Sequence, residues 1–229
     1  MEKKLDISVI SPVYNELENL ETFVESVTAV MNSTNMSWEL IIVDDGSSDG
    51  SSKILKKIGH QENIRSILLS KNYGQTTAIQ AGFDNAVGEY FVTLDSDLQN
   101  DPKDIPMLIQ KLINEELDLV VGWRKDRKDN YFFRNLPSIL ANKLIGTITG
   151  VKLHDYGCSL KAYRAEVLKE VKLYGEMHRF IPAWMATKIP ASKISEIEVT
   201  HHPRIAGESK YGISRTFRVF VDLISVYFF

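Results

Sequence analysis

Two groups of aspartates stand where apolar runs end. Asp44-Asp45 follows Glu39–Val43, and Asp95-Ser96-Asp97 follows Tyr90–Leu94. Carboxylates gathered in one site repel one another unless a proton or a cation neutralises them. At neutral pH a hard divalent ion with oxygen ligands suits them, Mg²⁺ or Mn²⁺, and such an ion keeps positions open for substrate phosphates. Either group alone would also serve to cap a loop; both at strand ends favour the ion. A second set is cationic: Arg124, Arg134, Arg204 and Lys210, the last two flanking Gly207-Glu208-Ser209. Arginine holds a phosphate through two parallel bonds, and lysine acts as a mobile point charge. Singly these residues read as surface charge; as a set they suit an anion. There is no G-x-G-x-x-G and no G-x-x-x-x-G-K-[ST], so a dinucleotide-type or P-loop phosphate cradle is not expected.

The elements that must position these residues follow from periodicity. Asp6–Val13, Glu39–Val43, Ile64–Leu69, Tyr90–Leu94, Leu117–Val121 and Ile194–Thr200 read as strands. Leu17–Met31, Ser51–Ile58, Thr76–Ala86, Pro102–Ile113, Arg134–Thr149, Ala165–Val171 and Arg179–Ala186 read as helices. Short strands alternating with helices predict βαβ units and a mostly parallel sheet. Ligands in such sheets bind beyond the carboxyl ends of the strands, where the aspartates fall.

Composition agrees. The chain has 229 residues, 44% of them hydrophobic and 25% charged, enough for one sizeable core and unlike a disordered chain. A single cysteine, Cys158, leaves no internal disulfide and suits a reducing compartment. Met1 to Ser11 reads as a polar lead into a strand, not as a signal peptide. The net charge of −3 conceals an asymmetry: residues 1–120 carry 9 Lys and Arg against 20 Asp and Glu, the remainder 18 against 10. The acidic half suits a metal site and the basic half an anionic partner. Ile213–Phe229 crowds apolar residues between Arg215, Arg218 and Asp222. It reads as an amphipathic surface helix cut just before transmembrane segments, or alternatively as a C-terminal core helix.

Four stretches together, "VISPVYNE", "IIVDDGSSD", "AGFDNAVGEYFVTLDSDLQ" and "GESKYG", resemble glycosyltransferase family 2, whose α/β fold is called GT-A. The resemblance covers Ile7 to Tyr211. The later stretches "VGWR", "HDYGCSLKAYR", "HRFIP" and "HHPRIAGESKYG" resemble its polyprenyl-phosphate branch. The resemblance implies that Pro12, Tyr14 and Glu16 line the base and ribose pocket. It implies that Val43 and Asp45 meet the base, that Asp95 lies against the ribose and diphosphate beside Ser96 and also at the metal, and that Asp97 binds the metal directly with Gln99 completing the site. Asp44 is expected to orient its loop. Arg124, Arg134, Arg204, Ser209 and Lys210 are expected to hold the acceptor phosphate and the donor diphosphate.

The implied reaction is inverting transfer of a hexose from a nucleotide-sugar, preferably a UDP-sugar, to undecaprenyl or another polyprenyl phosphate. A lipid phosphate is already ionised at neutral pH and needs no general base, whereas a sugar hydroxyl does. Asp155 therefore has three readings: base, acceptor-orienting group, or structural residue. Two other functions stay open, transfer to a sugar hydroxyl of a surface polysaccharide and a silent nucleotide-sugar-binding membrane scaffold. Residues 1–212 are expected to form the GT-A domain, including an acceptor-side helix at about 134–149, with 213–229 an interface helix. Leu136, Ile139, Leu140, Leu144 and Ile145 form a stripe that reads as core packing or as a membrane-lying face. The expected location is the cytoplasmic face of the cell membrane. The expected partners are the donor, the lipid phosphate, the membrane surface and a second copy of the chain, with no nucleic acid.

Overall fold

The computed structural model describes residues 5–125, 146, 150–168 and 171–203. The expected helices at 134–149 and 213–229, with Arg134, Arg204, Ser209 and Lys210, lie outside them. Seven strands form one sheet: β1 (Leu5–Val13), β2 (Trp38–Asp44), β3 (Ile64–Leu68), β4 (Gly88–Thr93), β5 (Leu119–Trp123), β6 (Lys161–Arg164) and β7 (Ile194–Glu198). Their order is β3-β2-β1-β4-β6-β5-β7. All neighbours are parallel except around β6, which runs antiparallel to both β4 and β5. The expected mostly parallel α/β sheet flanked by helices is what is observed.

β2 is buried along its whole length. A strand covered on both faces reads as a near-continuous apolar run, which explains why "LIIV" shows no alternation. Helices α1 (Leu17–Asn32), α2 (Ser51–Ile58), α3 (Gln75–Asn85) and α4 (Ile105–Asn114) follow the first four strands. α1 turns Leu20, Phe23, Val24, Val27 and Met31 into the core, the i, i+3, i+4 stripe of its sequence. Pro102 opens a 3-10 turn instead of the α-helix expected there, with the Asp101 side chain accepting from the N–H of Lys103; α4 begins only at Ile105.

The second half departs further from expectation. Helix α5 is Ala165–Leu168, and α6 is Ile181–Met185, preceded by a 3-10 turn at Met177–Arg179. β6 is a strand that periodicity does not predict. Its first residue, Lys161, is buried, and a charged residue in a short segment hides the apolar signal. β6 completes the sheet by closing the gap between β4 and β5.

Candidate active site at the carboxyl edge of the sheet

β1 sits between β2 and β4, so both aspartate groups converge on its end. The N–H of Asp45 donates to the carbonyl of Val13 at 2.8 Å, and that of Leu94 to Ile10 at 3.1 Å. The Ser96 hydroxyl donates to the carbonyl of Pro12 at 3.3 Å. Pro12, Tyr14, Glu16, Val43, Asp45, Asp95, Ser96, Asp97 and Gln99 thus lie on three adjacent strand ends. The first two loops interlock. Asn15 N–H donates to Ser47 Oγ (2.8 Å), while Ser48 N–H donates to Asn15 Oδ1 (2.8 Å). Leu17 N–H donates to Asp49 Oδ2 at 3.0 Å. Asn15 takes a φ of 52°, a left-handed conformation that asparagine tolerates better than most residues.

Each carboxylate has its own setting. Asp44 accepts from the N–H of Ser47 at 3.0 Å and from the hydroxyl of Ser52, so it organises its own loop. Asp45 is buried and accepts from the N–H groups of Tyr73 (2.7 Å) and Gly74 (2.8 Å). Burial pushes it above the usual carboxylate range, against the lowering effect of those two donors. A carboxylate has about four acceptor positions, so two internal bonds leave capacity for a ligand N–H. Asp95 accepts from Gln75 Nε2 at 2.8 Å. Burial raises it too, opposed by the Ser159 hydroxyl and by the charges of Lys161, Arg124 and Arg179. Asp97 is 9% exposed and accepts from the N–H of Gln99 at 3.2 Å across Leu98, whose φ is 60°.

The reversed direction of β6 brings a second group of residues to this edge. Because β6 is antiparallel, the segment that precedes it lies at the carboxyl ends of its parallel neighbours. Thr93 of β4 and Val121 of β5 both pair with Lys161. Asp155, just upstream, meets Arg124, just beyond β5. Arg124 Nε donates to Asp155 Oδ2 at 2.7 Å and Nη2 to Oδ1 at 3.0 Å, the two side chains being 11% and 13% exposed. Burial works against the charge of Arg124, but the neighbouring acidic groups Cys158, Asp155 and Asp95 hold it above the ordinary arginine value. Buried Lys161 donates from Nζ to the carbonyl of Cys158, and burial lowers it to about 8. Cys158 is a buried thiol that burial pushes up to about 11; such a thiol is a packing group, not a nucleophile.

Residue types and periodicity do not single out Gln75, Lys161 or Asn100. Asn100 Nδ2 donates to Ser159 Oγ at 2.9 Å, joining the Asp97 loop to the segment before β6. Gln99 also accepts from His202 N–H at 2.7 Å, and Asn100 pairs with His201. The described chain therefore reaches Pro203 alongside the Asp97 loop, one residue before Arg204.

Among the described residues no group of three or more His, Cys, Asp or Glu side chains could hold a metal. The donor set still fits Mg²⁺ or Mn²⁺. Ions of this kind are bound through one or two carboxylates, several waters and substrate phosphates, not through an all-protein cage.

A family model described as glycosyl transferase family 2 matches residues 8–172. The chain belongs to glycosyltransferase family 2. The glycosyltransferase is 56% identical over 229 residues to the dodecaprenyl-phosphate galacturonate synthase of Rhizobium johnstonii, covering 99% of this chain and 68% of that protein. It is 40% identical to the undecaprenyl-phosphate 4-deoxy-4-formamido-L-arabinose transferase of Salmonella paratyphi A, covering 96% of this chain and 66% of that one. The chain thus spans about two thirds of the length of these relatives, which are polyprenyl-phosphate glycosyltransferases, as the later sequence stretches implied. Its fold matches glucosyl-3-phosphoglycerate synthase from Mycobacterium tuberculosis, solved with Mn²⁺ and UDP-glucose, at a TM-score of 0.73 and 18% identity, covering 97% of this chain and 79% of that one. The GT-A expectation is borne out.

Proposed function

We propose that the glycosyltransferase moves a hexose or hexose-derived sugar from a nucleotide-sugar to polyprenyl phosphate, with inversion at the anomeric carbon. The observation that carries this reading is the Arg124–Asp155 pair. Asp155 Oδ2 accepts from Arg124 Nε and from the Arg124 N–H, and Oδ1 from Arg124 Nη2 and from the Gly157 N–H. Its roughly four acceptor positions are therefore filled, and taking a proton from a sugar hydroxyl would mean surrendering one of those bonds. A phosphate monoester is largely ionised at pH 7 and asks only for positioning and neutralisation. In this reading Asp155 aims the guanidinium, and Arg124 faces an anion. The relatives that act on dodecaprenyl and undecaprenyl phosphate support the same acceptor class.

A phosphate oxygen attacks the anomeric carbon from the face opposite the diphosphate. The bond from that carbon to the diphosphate oxygen breaks, and its electron pair leaves with the nucleoside diphosphate. Asp97, with Asp95 and Gln99, would hold a divalent cation, which when bound supplies Lewis-acid neutralisation of the leaving group. Tyr14 and Asp45 serve base recognition, with UDP the preferred nucleotide. Arg134, Arg204, Ser209 and Lys210 are assigned to the two phosphate groups. Reaction with a lipid acceptor puts the protein on the cytoplasmic membrane surface; among the described residues no helix is long and apolar enough to cross a membrane.

The test is direct. The full chain in detergent is incubated with undecaprenyl phosphate, Mn²⁺ and labelled UDP-sugars. UDP-galacturonate comes first, in view of the 56%-identical relative, then UDP-glucose and UDP-N-acetylhexosamines. Label in the organic phase is expected. Label only on a polysaccharide acceptor would favour transfer to a hydroxyl, and label on neither would leave the silent scaffold.

A further inference from the structure

The segment Tyr73–Thr76 makes three attachments in immediate succession. The N–H groups of Tyr73 and Gly74 hold the two oxygens of Asp45. Gln75 donates its side-chain Nε2 to Asp95 Oδ1 at 2.8 Å. The Thr76 hydroxyl shares a 2.7 Å hydrogen bond with Nδ1 of His178, and both residues are buried. Gly74, at a φ of 98°, turns the chain into α3, which starts at Gln75. Side chains in a helix tilt toward its N-terminus, so the first residue of α3 reaches back to the strand ends. Two carboxylates from different strands are thereby held by adjacent residues of a third segment.

We propose that Gln75 is a positioning residue for Asp95, and that Tyr73–Thr76, braced by His178, sets the separation of Asp45 and Asp95 to match a nucleoside diphosphate with its cation. The proposal rests on the donor reading above. An amide suits the task because it is a neutral donor. It fixes which way a carboxylate faces without cancelling the charge that a divalent cation needs; a lysine or arginine there would cancel it. Partners of this kind orient metal-binding groups in many sites. The bracing also gives His178 of the "HRFIP" stretch a role outside the reaction itself.

Gln75→Ala is compared with the wild type in the full chain, by calorimetry of UDP binding with and without Mn²⁺ and by transfer kinetics over a Mn²⁺ series. UDP binding without metal should stay within about twofold, while the Mn²⁺ needed for half-maximal rate should rise roughly tenfold or more, the usual scale for losing such a partner. The rate should recover at saturating Mn²⁺. Gln75→Lys, which reaches Asp95 but neutralises it, should do no better. If Gln75→Ala does not fold, Gln75→Met keeps the side-chain length without the donor. An unchanged Mn²⁺ requirement overturns the proposal, and so does an equal loss of UDP binding with and without metal. A wild type that binds UDP with Mn²⁺ yet makes no glycolipid overturns the acceptor reading alone, and the calorimetric comparison still decides the role of Gln75.

Discussion

Asp97 and Asp155 look alike in the sequence, each an aspartate beside a tyrosine-, serine- or glycine-containing turn, yet their surroundings differ. Asp97 accepts from the N–H of Gln99 in its own loop at 3.2 Å, whereas Asp155 is gripped at both oxygens by the side chain of Arg124. Asp97→Ala should lower transfer by roughly a hundredfold or more, the scale for removing one preorganised electrostatic group. Initial rates at saturating donor check this, and near wild-type rates would remove Asp97 from the metal site. Asp155→Asn should cost roughly tenfold through misplacement of Arg124, with little further loss in an Arg124→Ala background, because paired residues are not additive. Kinetics of the two single variants and the double variant measure this. A base would behave otherwise: its loss would be as severe with Arg124 absent and would abolish a limb of the pH–rate profile.

At the scale of elements, the loops and the reversed strand carry the site. Gly46 has a φ of 70°, and a Cβ there would stand 2.4 Å from the carbonyl carbon of Lys71. Backbone cannot rotate away, so Gly46→Ala should cost about 3 kcal/mol in chemical denaturation through combined strain and overlap. It should also weaken UDP binding, since Lys71 leads directly into Tyr73 and Gly74. Strand β6 carries Lys161, whose ammonium is lowered to about 8 by burial. The sign follows from proton binding. Below pH 8 both states hold the proton and the burial cost is fully present. As pH rises from about 8 toward the ordinary lysine range near 10.5, only the unfolded chain keeps the proton, and the cost is relieved. The unfolding free energy of Lys161→Met minus that of wild type should therefore decline across that window, measured without metal. A difference independent of pH would contradict the burial of the ammonium.

For the whole molecule, the acidic edge is proposed to hold its cation together with substrate. Among the described residues no group of three or more His, Cys, Asp or Glu side chains could hold a metal, and in the proposed reading the diphosphate would supply part of the cation's shell. Mn²⁺ alone should shift the thermal midpoint little. Mn²⁺ with UDP at a hundredfold excess over its dissociation constant should add about 2.7 kcal/mol. Scanning calorimetry with each ligand alone and with both decides this, and a full shift with Mn²⁺ alone would point to a protein-only cage. The asymmetry of charge along the chain belongs at this scale too: the acidic half supplies the ends of β2 and β4 with their aspartates, and Arg124 is the first cationic residue of the basic half, just beyond β5 at the same edge.

The sequence alone determined the parts that depend on local order. The strand–helix alternation, the continuous apolar run of β2, the stripe of α1 and the placing of Asp45, Asp95 and Asp97 at strand ends all follow from periodicity and flanking residues. The expectation of a hard divalent ion likewise comes from residue type. The tertiary structure decided what depends on neighbours distant in the chain. Lys161 reads as a polar break until its pairing with Thr93 and Val121 buries it in a strand. Gln75 is one more polar residue until α3 brings it to Asp95. Asp155 has no visible partner in the sequence until β6, running against its neighbours, sets it against Arg124. A side chain's chemistry is set by its type, but the partner that directs or restrains it comes from strand order and direction, which no local pattern encodes.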